Sequence, residues 1–186
     1  MKTTATDAAR PRRRASGFTL VELMLVVAIL GILASIGGVA WMRYVKRSRT
    51  SEAAGHLQKM WVGAMGYYES DHADETGAML DRQFPYDDNT DWGPDCCSFP
   101  DQHCPGNMPH FSGSPWKQLN FNIADKHLYQ PQYFGGFPDP KKNLWLQVQG
   151  NLDCDPIPST FIRMANVLPN GDVQGYATPA IINETE

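Results

Sequence analysis

The sequence predicts an α+β protein in which one long N-terminal helix, half membrane-spanning and half amphipathic, packs on a C-terminal antiparallel β-sheet. Three observations predict it. From Phe18 to Met42 run twenty-five residues with a single charge, Glu22, enough to cross a hydrocarbon core of about 30 Å as a helix rising roughly 1.5 Å per residue. Beyond that run, Ala53, Leu57, Met60, Trp61, Ala64 and Tyr68 fall on one face of a 3.6-residue period with no proline to interrupt it. The last third breaks into short runs of β-formers. With 186 residues and 42% hydrophobic composition, the chain has room for an anchor and one compact domain, and two would be crowded.

In order along the chain, the expected segments are 1–17, 18–42, 43–70 and 71–186. The first is polar and basic, with Lys2, Arg10, Arg12, Arg13 and Arg14 against Asp7 and no apolar periodicity, so it is expected to be disordered and cytoplasmic. Of the chain's 16 basic and 20 acidic residues it holds five and one, leaving 11 and 19 in the remainder, net −8 instead of −4. So acidic a chain is a poor non-specific binder of nucleic acid, and no specific nucleic-acid partner is expected.

The apolar run of 18–42 has two commonplace rivals. A secretory signal peptide also places basic residues before an apolar stretch. This run is too long for one, has no small-x-small cleavage site before Arg43-Tyr44-Val45-Lys46-Arg47, and carries an acid in its first turns. An ordinary anchor has no use for that acid, because a carboxylate is expensive in lipid. Glu22 needs a partner.

Gly17 followed by Phe18-Thr19-Leu20-Val21-Glu22 resembles the prepilin peptidase site of type IV pilins and type II secretion pseudopilins. The resemblance implies cleavage after Gly17 on the cytoplasmic side of the inner membrane and N-methylation of Phe18 by the same enzyme. It implies further that Glu22 pairs with the new amine of Phe18 on a neighbouring subunit as a helical homo-oligomer grows from an assembly platform. The physics agrees, since a carboxylate and an ammonium buried together in lipid satisfy each other and either alone is costly. Charge alone does not orient the span, because Arg43, Lys46, Arg47 and Arg49 flank its far end. A cytoplasmic leader puts everything after Met42 outside the inner membrane, in the periplasm or on an extracellular pilus.

Within the span, Gly31, Gly37 and Gly38 weaken the helix by about 1 kcal/mol each relative to Ala. They read either as sites of close helix packing or as a soft point. Many type IV pilins carry a proline near the position held here by Val39, which leaves the Gly37-Gly38 pair as the one candidate for local melting. The 43–70 segment continues the helix, with its Met and aromatic stripe expected to be core.

From Asp71 to Pro115, Gly, Pro, Asp and Asn predict a long surface loop. It holds Cys96, Cys97 and Cys104; the fourth cysteine is Cys154. Outside the cytoplasm four cysteines read as two disulfides. Adjacent Cys96 and Cys97 rarely bond each other, so one is expected to join Cys104 and the other Cys154, in either arrangement. The rival is a zinc site of Cys96, Cys97, His103 and Cys104, against which stand the missing C-x-x-C pair and the oxidising compartment. His56, His72, His110 and His127 read as isolated satisfied or exposed histidines.

No resident cofactor is expected, but two acidic clusters are candidate calcium loops. Asp87, Asn89 and Asp91 alternate, with Asp88 and Asp95 nearby; Asn151, Asp153 and Asp155 do likewise, with Ser159 at the ninth place. Neither is complete: Trp92 stands where the first wants Gly, and Pro156 and Ile162 stand where the second wants Gly and the closing acid. Gly150 to Phe161 also resembles a segment near the C-terminus of some pilin-like proteins, with Cys154 and Pro156 in place of the usual glycines.

Five strands are expected, at Trp116 to Phe121, Leu128 to Phe134, Leu144 to Val148, Phe161 to Val167 and Val173 to Ala177, with Asn170-Gly171 as the hairpin signal between the last two. An antiparallel sheet laid on the Leu57-Trp61-Ala64 side of the helix is the economical architecture, and it is the pilin fold that the resemblance implies. There is no Gly-x-Ser-x-Gly, His-Glu-x-x-His, phosphate loop or dinucleotide fingerprint, so the chain reads as a polymerising structural protein and not an enzyme. Two alternatives are a minor pilin or pseudopilin acting as a tip binding module, and a membrane-anchored periplasmic enzyme that borrows the export route.

Overall fold

The computed structural model describes residues 17–87, 92–135, 139, 142–176 and 178–184. Leader residues 1–16, the candidate ligands Asp88, Asn89 and Asp91, and Ala177 at the end of an expected strand lie outside the described residues. A single helix, α1 (Leu20–Glu69), continues for 50 residues. Contacts within the chain divide it into two units, Met1–Trp41 and Met42–Glu186.

In the first unit α1 is apolar all round and every described side chain is exposed. It is long and apolar enough to cross a membrane. A helix with no polar face has no solvated side to keep, so this surface calls for lipid or for other helices. The helix passes unbroken through Gly31, Gly37 and Gly38, and a Cβ at any of them would meet nothing within 4 Å. Within one chain these glycines therefore serve no packing contact.

In the second unit α1 turns amphipathic and buries Thr50, Ala53, His56, Leu57, Met60, Ala64 and Tyr68. Fully burying a side chain such as Leu57 or Met60 is worth about 1.5–3 kcal/mol, and Trp61 packs against the same core from its edge. The helix stops where its last carbonyls find other donors. Ser70 Oγ bonds the Gly66 carbonyl at 2.6 Å and His72 Nε2 the Tyr67 carbonyl at 2.7 Å, satisfying groups that a helix end leaves open.

The stretch expected to be loop from Asp71 to Pro115 is more ordered than its composition indicated. A small hairpin pairs β1 (His72–Ala73) with β2 (Met79–Leu80). Its turn is held by Asp74 Oδ1, which accepts from the backbone of Thr76 at 2.8 Å and of Ala78 at 2.9 Å. Two 3-10 turns follow, at Cys96–Ser98 and Pro109–Ser112.

The expected strand from Trp116 to Phe121 is not one. It is a run of tight turns, with Lys117 N–H bonded to Gly113 O at 3.0 Å, Leu119 N–H to Pro115 O at 3.0 Å and Phe121 N–H to Trp116 O at 2.9 Å. The spacing explains the difference. Buried Trp116 and Leu119 stand three apart, a helical interval that alternation does not produce, and Asn120 at φ 48° ends the turn before any strand extends.

The main sheet contains β3 (Tyr129–Gly135), β4 (Asn143–Gly150), β5 (Ser159–Val167) and β6 (Val173–Gly175) side by side, all antiparallel. A short strand not foreseen, β7 (Ala180–Ile182), also pairs with β5. Tyr129 and Tyr133 on β3, Leu144, Leu146 and Val148 on β4, and Phe161 and Ala165 on β5 form its buried face, spaced two or four residues apart as one side of a strand requires. They join Leu57, Met60 and Ala64 of α1 in one cluster. The β5–β6 hairpin turns at Asn170-Gly171 as its sequence requires, Gly171 taking φ 86°, and Tyr68 of α1 donates to the Gly171 carbonyl at 3.0 Å.

Candidate functional site

Gly17 and Phe18 precede the helix without regular secondary structure, and Phe18 is 79% exposed. Thr19 is the N-cap: its carbonyl accepts the first helical bond, from Leu23 N–H at 3.2 Å. Glu22, three residues on, accepts from the Thr19 amide at 2.9 Å and the Thr19 hydroxyl at 2.8 Å on the same oxygen. In return Glu22 N–H donates to Thr19 Oγ1 at 3.3 Å. This is a capping box, in which side chains satisfy the N–H groups that a helix start leaves open.

Glu22, an acid that needs a partner, has one beside it in Thr19. The signal was present as Thr-x-x-Glu directly before an apolar run. Capping does not exhaust the group, because a carboxylate has about four lone-pair sites. The structure thus places an acid, oriented by Thr19, within one turn of the exposed Gly17-Phe18 peptide.

In the second unit, Cys96 is bonded to Cys104 and Cys97 to Cys154, with Cα separations of 4.6 and 5.7 Å. Asp95 caps the 3-10 turn that holds the adjacent pair, accepting from Cys97 N–H at 3.1 Å, and Cys104 is itself bridged to His127 through paired backbone bonds of 2.8 and 3.0 Å. The zinc reading fails here. Cys96, Cys97 and Cys104 are all disulfide sulfurs with no thiolate to offer, and His103 contacts the Asp101 carbonyl.

The second calcium candidate is internally bonded. Asp153 pairs with Lys46 of α1 at 2.8 Å. Asn151 Oδ1 accepts from Asp155 N–H at 3.1 Å, Asp155 Oδ1 from Ile157 N–H at 2.7 Å, and Ser159 donates to the Gly150 carbonyl at 2.9 Å. These are turn bonds, with an ammonium on one of the acids. In the first candidate, Asp87 forms a backbone bridge with Gly135.

Two histidines read as isolated prove to be neighbours. His56 on α1 and His127 before β3 are both buried, ring centroids 6.2 Å apart. Between them Glu52 Oε1 accepts from Leu128 N–H at 2.8 Å, Tyr129 N–H at 3.2 Å and lies 3.3 Å from His56 Nε2. Burial alone would raise the Glu52 carboxyl, but the bonds from His56, Leu128 and Tyr129 outweigh it and hold it below its ordinary range. Burial pushes His127 below the usual histidine value, opposed by its contact with the Asp125 carbonyl. A separation of 71 residues hid this cluster from any spacing rule.

The fold and site define a protein with one exposed apolar helix, a capped acidic N-terminus and a disulfide-braced sheet domain. Residues 12–38 match the family model described as the prokaryotic N-terminal methylation motif. The chain is 40% identical over 77 residues to the type IV major pilin protein PilA of Myxococcus xanthus, covering 39% of this chain and 34% of that one. It is 53% identical over 55 residues to the fimbrial protein EcpC of Eikenella corrodens, covering 30% and 35%, and 54% identical over 37 residues to the type IV major pilin protein PilE1 of Neisseria gonorrhoeae, covering 20% and 22%. The likeness is to type IV major pilins and a fimbrial protein, and it is confined to a minor part of the chain. It spans about a third or less of the length of these curated relatives, and no solved structure matches it.

Proposed function

We propose that the chain is the structural subunit of a type IV pilus-like filament. It is inserted in the inner membrane with its leader in the cytoplasm, cut by prepilin peptidase after Gly17, and N-methylated at Phe18. An assembly platform then polymerises it through its N-terminal helix, with the sheet domain outside the membrane. The observation that carries this reading is the capping box at the mouth of an unpartnered apolar helix. It holds Glu22 one turn from Phe18, where the ammonium freed by cleavage on a neighbouring subunit would find an oriented carboxylate in a lipid-like surround. The similarity to major pilins supports a filament subunit.

The test is intact mass spectrometry of the chain in filaments sheared from the cell surface and in the membrane fraction. The expected result is an abundant species in the sheared material that begins at N-methylated Phe18 and is four hydrogens light. A processed chain confined to the membrane fraction would move the assignment to a pseudopilin, and an uncut chain would overturn it.

A further inference from the structure

The face of the main sheet opposite the core carries a row that the fold does not need. Phe134, Trp145 and Met164 are direct cross-strand partners on β3, β4 and β5. Trp145 is 44% exposed. Phe134 meets it near edge-on, with ring centroids 6.3 Å apart and planes at 64°, so a neighbouring ring steadies the indole. An open depression of about 520 Å³ lies over the row, with Asn143, Gln147 and Asn166 in its lining. Among the described residues, none that lines it is ionisable, in a chain that is 19% charged.

We propose that this depression binds a neutral polysaccharide, with a pyranose ring of a β-linked glycan lying on Trp145. The face of an aromatic ring is the negative pole of its quadrupole and attracts the polarised C–H groups on the flat side of a sugar. Each Asn or Gln amide offers two donors and an acceptor, a match for the mixed donor and acceptor character of sugar hydroxyls. The volume lies within the range of about 300–1,000 Å³ typical of small-molecule sites. The uncharged lining argues against the other occupants. A nucleic acid or an anionic glycan needs basic groups to replace its counterions, and an anionic lipid surface needs Lys or Arg around an apolar wedge. This inference goes beyond the filament reading and does not depend on it, because binding is measured on the unassembled chain.

The experiment titrates the full chain, in lauryl dimethylamine oxide so that no detergent sugar competes, with cellohexaose and with chitohexaose by isothermal calorimetry. The expected result is saturable binding of at least one of them, weakened about tenfold or more by Trp145→Ala, retained by Trp145→Tyr and weakened by Gln147→Ala. Near-UV circular dichroism of each variant should match the parent, and Gln147→Ala, which leaves the aromatic pair intact, answers for folding if Trp145→Ala does not. Absence of saturable heat with both sugars overturns the proposal, as does binding that survives Trp145→Ala or polygalacturonate binding as tightly as the neutral sugars. A change in oligomeric state with Trp145→Ala, without sugar binding by the parent, would make the row a contact between copies and overturn it too.

Discussion

The amide and hydroxyl of Thr19 both donate to one oxygen of Glu22, at 2.9 and 2.8 Å, while the Glu22 amide donates back to Thr19 at 3.3 Å. On the proposed filament reading the acid would have two separable duties, closing the first helical turn, which these bonds show, and offering charge to a neighbouring subunit. Glutamine also serves at the third position of a capping box, so Glu22→Gln keeps the first duty and removes the second. The expected outcome is normal membrane insertion for Thr19→Ala, Glu22→Gln and Glu22→Ala. Filament yield falls by about tenfold or more in the two Glu22 variants, because an ammonium is left unpaired in lipid, and stays near normal in Thr19→Ala. Immunoblots of sheared filaments against membranes measure this, and full assembly of Glu22→Gln would reduce the acid to a cap.

The two disulfides close loops of unlike length, with sequence separations of 8 for Cys96–Cys104 and 57 for Cys97–Cys154. Restricting the unfolded chain is worth more for the longer loop, about 4 against about 2.5 kcal/mol at room temperature. Replacing Cys97 and Cys154 together by Ser should therefore lower the denaturation midpoint more than replacing Cys96 and Cys104. Urea unfolding of the two double variants, followed by tryptophan fluorescence, gives the order. The reverse order would mean that the buried Cys96–Cys104 bridge acts through core packing at the Cys104–His127 backbone bridge.

What the sequence made legible was what recurs locally. The interval from Ala53 to Tyr68 announced the buried helix face, short runs of β-formers announced β3 to β5, and Asn170-Gly171 announced a turn that needs positive φ. What it hid was made by distant residues or by competing periods. Trp116 and Leu119 looked like strand because aromatic and branched side chains favour both settings, yet their three-residue interval follows a helical turn. β7 has three exposed residues and no alternation to show. Glu52, His56 and His127 meet only because α1 packs beside the start of β3. At the N-terminus the family motif drew attention to Gly17, Phe18 and Glu22, while the residue that orients the acid, Thr19, was legible as a cap and passed over.

The segment from Asn151 to Ser159 should be insensitive to calcium. Its Asp153 carboxylate holds the Lys46 ammonium at 2.8 Å, which keeps that acid below its ordinary range through the hydrogen bond first and the ion's field after it. The Asn151 side-chain amide accepts from Asp155 N–H and donates to the Asp155 carbonyl. A divalent ion would have to displace the lysine and break the turn. Millimolar calcium is expected to leave the melting temperature of the full chain in detergent unchanged, with or without Lys46→Ala. An upward shift that Asp153→Asn removes would restore the ion site.

Acid should loosen the sheet domain in two steps with different owners. His127 is buried beside His56, and burial sets its folded pKa below the ordinary 6.5. Unfolding then takes up a proton, so this contribution is fully present above about pH 6.5 and is lost as pH falls from there toward the lower folded value. Glu52, which also faces His56 and the Leu128 and Tyr129 amides, is held below the ordinary 4.5 despite its burial. Its contribution is present above about pH 4.5 and is lost only below it. The melting temperature of the full chain in detergent should therefore fall between pH 7 and 5 and fall again below 4.5. His127→Gln should flatten the first step and spare the second, and Glu52→Gln should lower stability at neutral pH and flatten the second. A first step that persists unchanged in His127→Gln would show that the His127 ring does not own it.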